Sequence, residues 1–316
     1  MSRIDLKICL QNQKFLPGCP IMGTVEVTNS GDKVIEVNEV YINLWGQEFI
    51  KFKISSCAPY CCFFGVGCVY RCTETTTYED GVTIVDETIT LLDRALLPKG
   101  RHSFPFEFML EEGCPSTFET KLGLGGHVQY GLKAFLKVPG KAKYTDSCGI
   151  RVEGILDIRK FNQNGPLCVQ QANKKVDVKV QLPKTGYLSG ERIPVKVTIT
   201  NLKGSSGNAE IAIVKRVELV SRKYGKSSKE DITLVNSKTW NWASGEWLDN
   251  LELPMCTPTN LCGAECIAVD YFVQVNVKGV DVFVPIVIGA IASAEENSWA
   301  GSPDGYQGVE NYTYED

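Results

Sequence analysis

Histidine is almost missing from this chain: His102 and His127 are the only two in 316 residues, and neither stands at a metal-ligand spacing or beside a Gly-x-Ser-x-Gly nucleophile elbow. The first lies on a strand-like Gly-x-His-x-Phe stretch and the second in a glycine-rich turn, so both read as structural or surface residues. Gly123, Gly125 and Gly126 resemble a fragment of a phosphate loop, but no helix start follows them, and hairpin glycines are the simpler reading. No window of twelve or more residues keeps a 3.6-residue apolar period, which excludes a helical domain. A long apolar run is missing too, because the most apolar stretch, Val282 to Ala292, is broken by Pro285 and Gly289 and is too short to span a bilayer. Arg3, Asp5 and Lys7 interrupt the first ten residues, which therefore do not read as a secretion signal. Net charge is -4 with a pI near 5.5, so a general electrostatic grip on nucleic acid is not expected. A non-catalytic, cofactor-free and metal-free cytoplasmic protein is the expectation, with thirteen cysteines kept as free thiols in a reducing compartment.

What the chain does have is a repeat. Phe15-Leu16-Pro17-Gly18, running to Val27-Thr28-Asn29, reappears without a gap as Tyr187-Leu188-Ser189-Gly190, running to Ile199-Thr200-Asn201, at a constant offset of 172. Tyr130, Leu132, Ala134 and Leu136 match Tyr271, Val273, Val275 and Val277 at an offset of 141. In each copy a turn leads into β-branched residues that alternate with polar ones, the period of a half-buried strand. Two related all-β domains in tandem follow, the first with longer loops. Strands are expected, among others, over Val34 to Gln47, Val82 to Leu92, Lys143 to Asp157, Ala209 to Tyr224 and Ile232 to Trp240. Phe161-Asn162-Gln163-Asn164-Gly165-Pro166 suits a linker, giving domains at 1–163 and 164–291. Residues 292–316 are acidic and too poor in apolar residues to make a core, and are expected to form a flexible tail.

Leu97-Pro98-Lys99-Gly100-Arg101-His102-Ser103-Phe104-Pro105-Phe106-Glu107-Phe108, then Pro115-Ser116-Thr117-Phe118-Glu119, then Gly123, Tyr130 and Lys133-Ala134, resembles the N-terminal domain of the α-arrestins, the arrestin domain-containing proteins. Gly186-Tyr187-Leu188-Ser189-Gly190-Glu191, Cys266 to Tyr271 and Val284 to Gly289 are similar to the arrestin C-terminal domain, so the resemblance runs from about Leu6 to Gly289. It implies two tandem immunoglobulin-like β-sandwich domains of arrestin type. It also implies a non-catalytic adaptor that joins cytoplasmic segments of membrane cargo to ubiquitin-ligase or endocytic machinery, with peripheral membrane contact at plasma membrane or endosomes. A retromer-type coat subunit of the same architecture is the alternative. The family's Pro-Pro-x-Tyr ligand for WW domains is replaced here by Pro303-Asp304-Gly305-Tyr306, and Tyr306-Gln307-Gly308-Val309 has the outline of a tyrosine sorting signal.

Three further groups are candidate partner or modification sites. Cys57, Cys61, Cys62, Cys68 and Cys72, interleaved with aromatic residues, lack the Cys-x2-Cys knuckles of a zinc site and read either as S-acylation acceptors or as small apolar residues between strands. Trp240 and Trp242, on one face beside an expected hairpin turn at Ser244-Gly245, read as an aromatic anchor for a partner or as packing within the domain. Lys174, Lys175, Lys179 and Lys184 form a basic strand edge, and Arg222, Lys223, Lys226 and Lys229 a basic loop. Recognition by strand addition at an open sheet edge is the expected mode for cargo.

Overall fold

Period-2 alternation dominates the conformation of this protein. The computed structural model describes residues 4–60, 69–120, 125–154, 156–162, 165–202, 204, 207–235, 238–242, 244–259 and 261–289, with backbone alone at 56–60, 69–74, 160, 207 and 238–242. In the first half the strands are β1 (Ile4–Leu10), β2 (Lys14–Phe15), β3 (Pro20–Asn29), β4 (Ile35–Tyr60), β5 (Val69–Leu97), β6 (Gly100–Met109), β7 (Phe118–Glu119), β8 (Gly125–Lys137) and β9 (Tyr144–Val152). A short 3-10 turn, Ile158–Lys160, leads to the second half. There follow β10 (Leu167–Ala172), β11 (Val176–Leu182), β12 (Gly186–Leu188), β13 (Arg192–Asn201), β14 (Gly207–Ser221), β15 (Lys226–Thr233), β16 (Lys238–Trp242), β17 (Gly245–Glu252), β18 (Ile267–Val277) and β19 (Val280–Gly289).

Each half is a sandwich of two sheets. In the first, β1-β3-β6 faces β2-β9-β8-β4-β5, with β7 beside β8; in the second, β10-β11-β13-β17 faces β12-β19-β18-β14-β15, with β16 beside β14. The inward residues of the facing strands, such as Val25, Val27, Ile42, Leu44 and Leu132, have no exposed surface, and each buried aliphatic side chain contributes roughly 1.5–3 kcal/mol.

The repeat is exact in register. Ile4 lies opposite Asn29 as Val176 lies opposite Asn201. Phe15 enters its sheet as a short parallel strand beside Val152, and Tyr187 does the same beside Ile288. The turn after each aromatic residue needs a left-handed residue, supplied by Gly18 at φ 79° and Gly190 at φ 83°. Their N–H groups donate to Leu110 O (3.1 Å) and Leu253 O (3.0 Å). Tyr130 and Tyr271, both fully enclosed, donate their hydroxyls to Pro115 O and Thr257 O, each at 2.7 Å. Two residues after each acceptor a threonine clamps the next strand: Val152 N–H donates to Thr117 Oγ1 (2.9 Å) and Ile288 N–H to Thr259 Oγ1 (2.7 Å).

Several sequence expectations are corrected. The expected strands Val34 to Gln47 and Val82 to Leu92 are parts of a hairpin of 26 and 29 residues. Past Lys51, the last partner of β8, β4 pairs with β5 alone, so Phe52 to Tyr60 form a two-stranded arm roughly 30 Å long, whose root packs on the core through Phe52, Ile54 and Tyr78. Its threonine-rich return strand has high β propensity but little alternation, which hid it from a periodicity criterion. Ser55 and Thr75 hydroxyls meet across it at 3.1 Å. Ile232 to Trp240 is not one strand but the end of β15 and the start of β16. The turn at Ser244-Gly245 is not a hairpin, because β16 pairs with β14 while β17 pairs with β13 in the opposite sheet. Leu167–Ala172, within the stretch next to the expected linker, is an edge strand paired with β11.

Candidate functional site

The halves meet where each departs from the repeat. On β4, position 48 corresponds through strand pairing to the buried Val217 of β14, yet it holds a glutamate that is 2% exposed. The Glu48 carboxylate crosses to the second half and accepts from the Glu265 N–H (2.9 Å) and the Cys266 N–H (3.0 Å). Burial pushes its pKa up, against the pull of the Cys266 and Ile267 amides and of Arg222. Nearby on β5, Asp80 accepts from the Lys223 N–H (2.9 Å) and the Ser221 hydroxyl (2.8 Å), contacts that hold its pKa below the usual range. Arg222 pairs with Glu265, and Tyr78 meets Tyr224 edge-on at 5.5 Å. Gly126 lets the surfaces close, since a Cβ there would stand 2.9 Å from Leu219 Cδ2. Opposite Tyr130 stands Gly46, whereas opposite Tyr271 stands Lys215, whose Nζ lies 5.0 Å from the Phe118 ring of the first half. Burial lowers the Lys215 pKa.

A second departure is at the outer edge of β1. Its counterpart β11 is covered by β10, but among the described residues no strand pairs with that side of β1. The Ile8 N–H, which points outward, donates instead to Asp146 Oδ2 on β9 at 2.7 Å. In an antiparallel pair outward amides recur every second residue, so those of Leu6 and Ile4 share this edge. The side chain of Asp146 satisfies one rung of the ladder a neighbouring strand would make.

The sequence candidates fare as follows. Cys57 and Cys72 occupy opposite backbone positions on the arm, with side chains outside the described set; Cys61, Cys62 and Cys68 lie outside the described residues altogether. Trp240 and Trp242 lie on β16 opposite Ala209 and Gly207, their side chains likewise outside that set, as are Pro303 and Tyr306. Gly123 is also outside it, while Gly125 and Gly126 open β8. His102 Nε2 is 3.0 Å from Pro98 O, and His127 stacks on Phe49 at 5.4 Å. In the basic loop Arg222 and Lys229 are paired, with Glu265 and Glu218, and the loop backbone is tied to Asp80. Burial pushes the thiols of Cys9, Cys114, Cys148, Cys256 and Cys266 upward, that of Cys266 to about 11, so they stay protonated and weakly nucleophilic near neutrality. Among the described residues no group of three or more His, Cys, Asp or Glu is disposed to hold a metal ion. No helix among them is long and apolar enough to cross a membrane. Glu48, Asp80 and Asp146 escaped sequence reading; a glutamate on the buried phase of β4 was the one available signal.

The solvent-facing side of β4 and β8 carries a column of rings. Trp45 lies flat across Gly131, where a Cβ would stand 2.7 Å from the indole. Gly131→Ala is therefore expected to lift the indole and cost about 1–3 kcal/mol, measurable as a lowered urea midpoint with unchanged slope. An unchanged midpoint would show that Trp45 does not need this approach.

Two family models match the chain: arrestin (or S-antigen), N-terminal domain, over residues 4–159, and arrestin (or S-antigen), C-terminal domain, over residues 172–293. Arrestin domain-containing protein 1 of Mus musculus is 25% identical over 255 residues, covering 72% of this chain and 56% of that protein. Arrestin domain-containing protein 17 of Caenorhabditis elegans is 24% identical over 319 residues, covering 92% of this chain and 71% of that protein. Arrestin domain-containing protein 4 of Mus musculus is 26% identical over 220 residues, covering 62% and 50%. The chain thus spans little more than half the length of the first of these relatives.

Proposed function

The chain belongs to the α-arrestin family of arrestin domain-containing proteins, and from that premise we propose that it is a non-catalytic adaptor in membrane-protein trafficking. The observation that carries this reading is the outer edge of β1, unpaired with any strand among the described residues, which offers outward backbone amides to an extended segment where the second half already holds β10. A cytoplasmic segment of a membrane protein adds there as a strand, with main-chain hydrogen bonds giving affinity. Domains bounded near residues 163 and 164 hold this edge, and the segment after Ile291, with Pro303 and Tyr306, contacts ubiquitin-ligase or endocytic machinery. Cytoplasmic work at the surface of plasma membrane or endosomes fits this role.

Proximity labelling in cells should enrich membrane proteins, and synthetic peptides of their cytoplasmic segments should slow hydrogen exchange at the amides of Leu6 and Ile8. Asp146→Ala, which removes the competing acceptor, should tighten such a peptide about fivefold, the worth of ~1 kcal/mol for one net hydrogen bond. Peptides that bind without protecting β1 would move the site elsewhere, and labelling without membrane proteins would end the trafficking reading.

A further inference from the structure

The β4–β5 hairpin of the first half runs on to Tyr60 and Val69, whereas the matching β14–β15 hairpin of the second closes at Ser221 and Lys226 and holds no cysteine. Within the longer arm the register sets Cys57 of β4 directly opposite Cys72 of β5. Directly opposite residues of an antiparallel pair have Cα atoms roughly 4.5–5.5 Å apart, inside the roughly 4.4–6.8 Å that a disulfide spans. Backbone placement alone therefore meets the distance requirement of a cross-strand bond without moving either strand. Two rungs nearer the root, the Ser55 and Thr75 hydroxyls lie 3.1 Å apart, so opposite side chains on this arm do reach each other.

Register sets this pair apart from other strand cysteines. Cys9 stands opposite Thr24, Cys148 opposite Leu132, and Cys168, exposed on β10, opposite Gln181. The place of the pair on the arm gives a bond there its effect. Beyond Phe52, Ile54 and Tyr78 the order of the arm comes from the pairing of its two strands, and that pairing shifts between Ser56 and Cys57, where Thr73 is the extra residue on β5. A ladder with a bulge and no packed face opens at small cost. A covalent bond at the rung beyond the bulge fixes the register and closes the distal arm into a ring.

We propose that Cys57 and Cys72 are a reversible redox pair, joined as a cross-strand disulfide that locks the arm, with glutathione disulfide as the oxidant. The thiolate of one cysteine attacks a sulfur of glutathione disulfide, forming a mixed disulfide and releasing one glutathione thiolate. The thiolate of the other then attacks the cysteine sulfur of that mixed disulfide and releases the second. Two protein thiols are oxidised, one glutathione disulfide is reduced, and the two protons lost by the cysteines end on two glutathione thiols. In a reducing compartment the pair rests as thiols, and the arm closes when the balance of glutathione shifts toward its disulfide. This device is separate from the β1 edge and does not depend on the cargo reading.

The test uses the full chain, equilibrated over a range of glutathione disulfide to glutathione ratios, blocked with iodoacetamide and digested with chymotrypsin without reduction. Cuts after Tyr60 and Tyr70 separate Cys57 and Cys72 from Cys61, Cys62 and Cys68. Mass spectrometry should find the Cys57 and Cys72 peptides joined as the ratio rises, and dithiothreitol should release them. Cys57→Ser should abolish the joined species, while Cys61→Ser, Cys62→Ser and Cys68→Ser together should keep it. Hydrogen exchange at residues 53–56 and 74–76 should slow about tenfold on oxidation in the wild type and stay unchanged in Cys57→Ser. Both cysteines alkylated at every ratio, or carrying glutathione without joining, would overturn the proposal. So would Cys72 joined chiefly to Cys61, Cys62 or Cys68, or joined only between copies when isotopically labelled and unlabelled protein are mixed. Exchange that ignores oxidation would show that the bond does not lock the arm.

Discussion

Glu48→Ala is expected to cost about 3 kcal/mol of stability, because it strips the acceptor from two amides that lie in the join between the halves. Hydrogen bonds to a charged group are worth roughly 1.5–3 kcal/mol each, and the charge here is partly offset by the cost of its own burial. Urea unfolding followed by both fluorescence and circular dichroism should show a lowered midpoint and, because the contact couples two sandwiches, a transition that splits in two. A single transition at the wild-type midpoint would mean that the amides find other partners. Dependence on pH separates Glu48 from its neighbour Asp80. Glu48 has a raised folded pKa, so its contribution is fully present below the ordinary carboxylate range and is lost as pH rises through that raised value. Asp80 has a lowered one, so its contribution is present above the ordinary range and is lost as pH falls through the lowered value. The deficit of Asp80→Asn should therefore shrink in acid, while that of Glu48→Gln should shrink toward neutrality. Parallel profiles for the two variants would refute the assignment of opposite shifts.

Much of this architecture could be read from residue order because both repeats are local. An aromatic-Leu-x-Gly turn followed by alternating Val and Thr specifies the turn, the strand and its buried face together, and the offsets of 172 and 141 survive as register in β1 with β3 and in the two tyrosine strands. The arm was not legible, since only its root, at Phe52, Ile54 and Tyr78, packs on the core, and beyond that point the order comes from the pairing of its two strands. The edge of β1 was foreseen as a mode and not as a place: which strand lacks a neighbour is a property of pairing between distant segments. Asp146 lies 138 residues from its partner Ile8, and Glu48 is 218 from Cys266, so neither contact leaves a trace in local pattern. The threonine clamps were missed for another reason. Pro115-Ser116-Thr117 and Thr257-Pro258-Thr259 share a single residue in register, and only their common hydrogen bonding reveals them as copies.

Those copies lead to the other large effect, expected at Tyr130 and Tyr271. Tyr271→Ala should cost about 4 kcal/mol, the loss of a ring that is 1% exposed together with the cavity it leaves. Tyr271→Phe, which keeps the ring and removes only the donor to Thr257 O, should cost about 1 kcal/mol. Tyr130 makes the same bond to Pro115 O and is 2% exposed, so its two variants should lose similar amounts. The surroundings then distinguish the halves. Across the strand from Tyr130 is Gly46, where a Cβ would stand 2.5 Å from the ring, so the residue opposite has no side chain to shift into the cavity. Across from Tyr271 is Lys215, whose alkyl stem can shift over the vacated space and carry the ammonium toward water. Tyr130→Ala should accordingly be the more damaging of the two, and Tyr271→Ala should return the Lys215 pKa toward its ordinary value, a change that nitrogen NMR of the lysine would register. Should the Lys215 pKa stay low in Tyr271→Ala, its burial comes from the first half through Phe118, and the ammonium then belongs to the contact between the domains rather than to the tyrosine's surroundings.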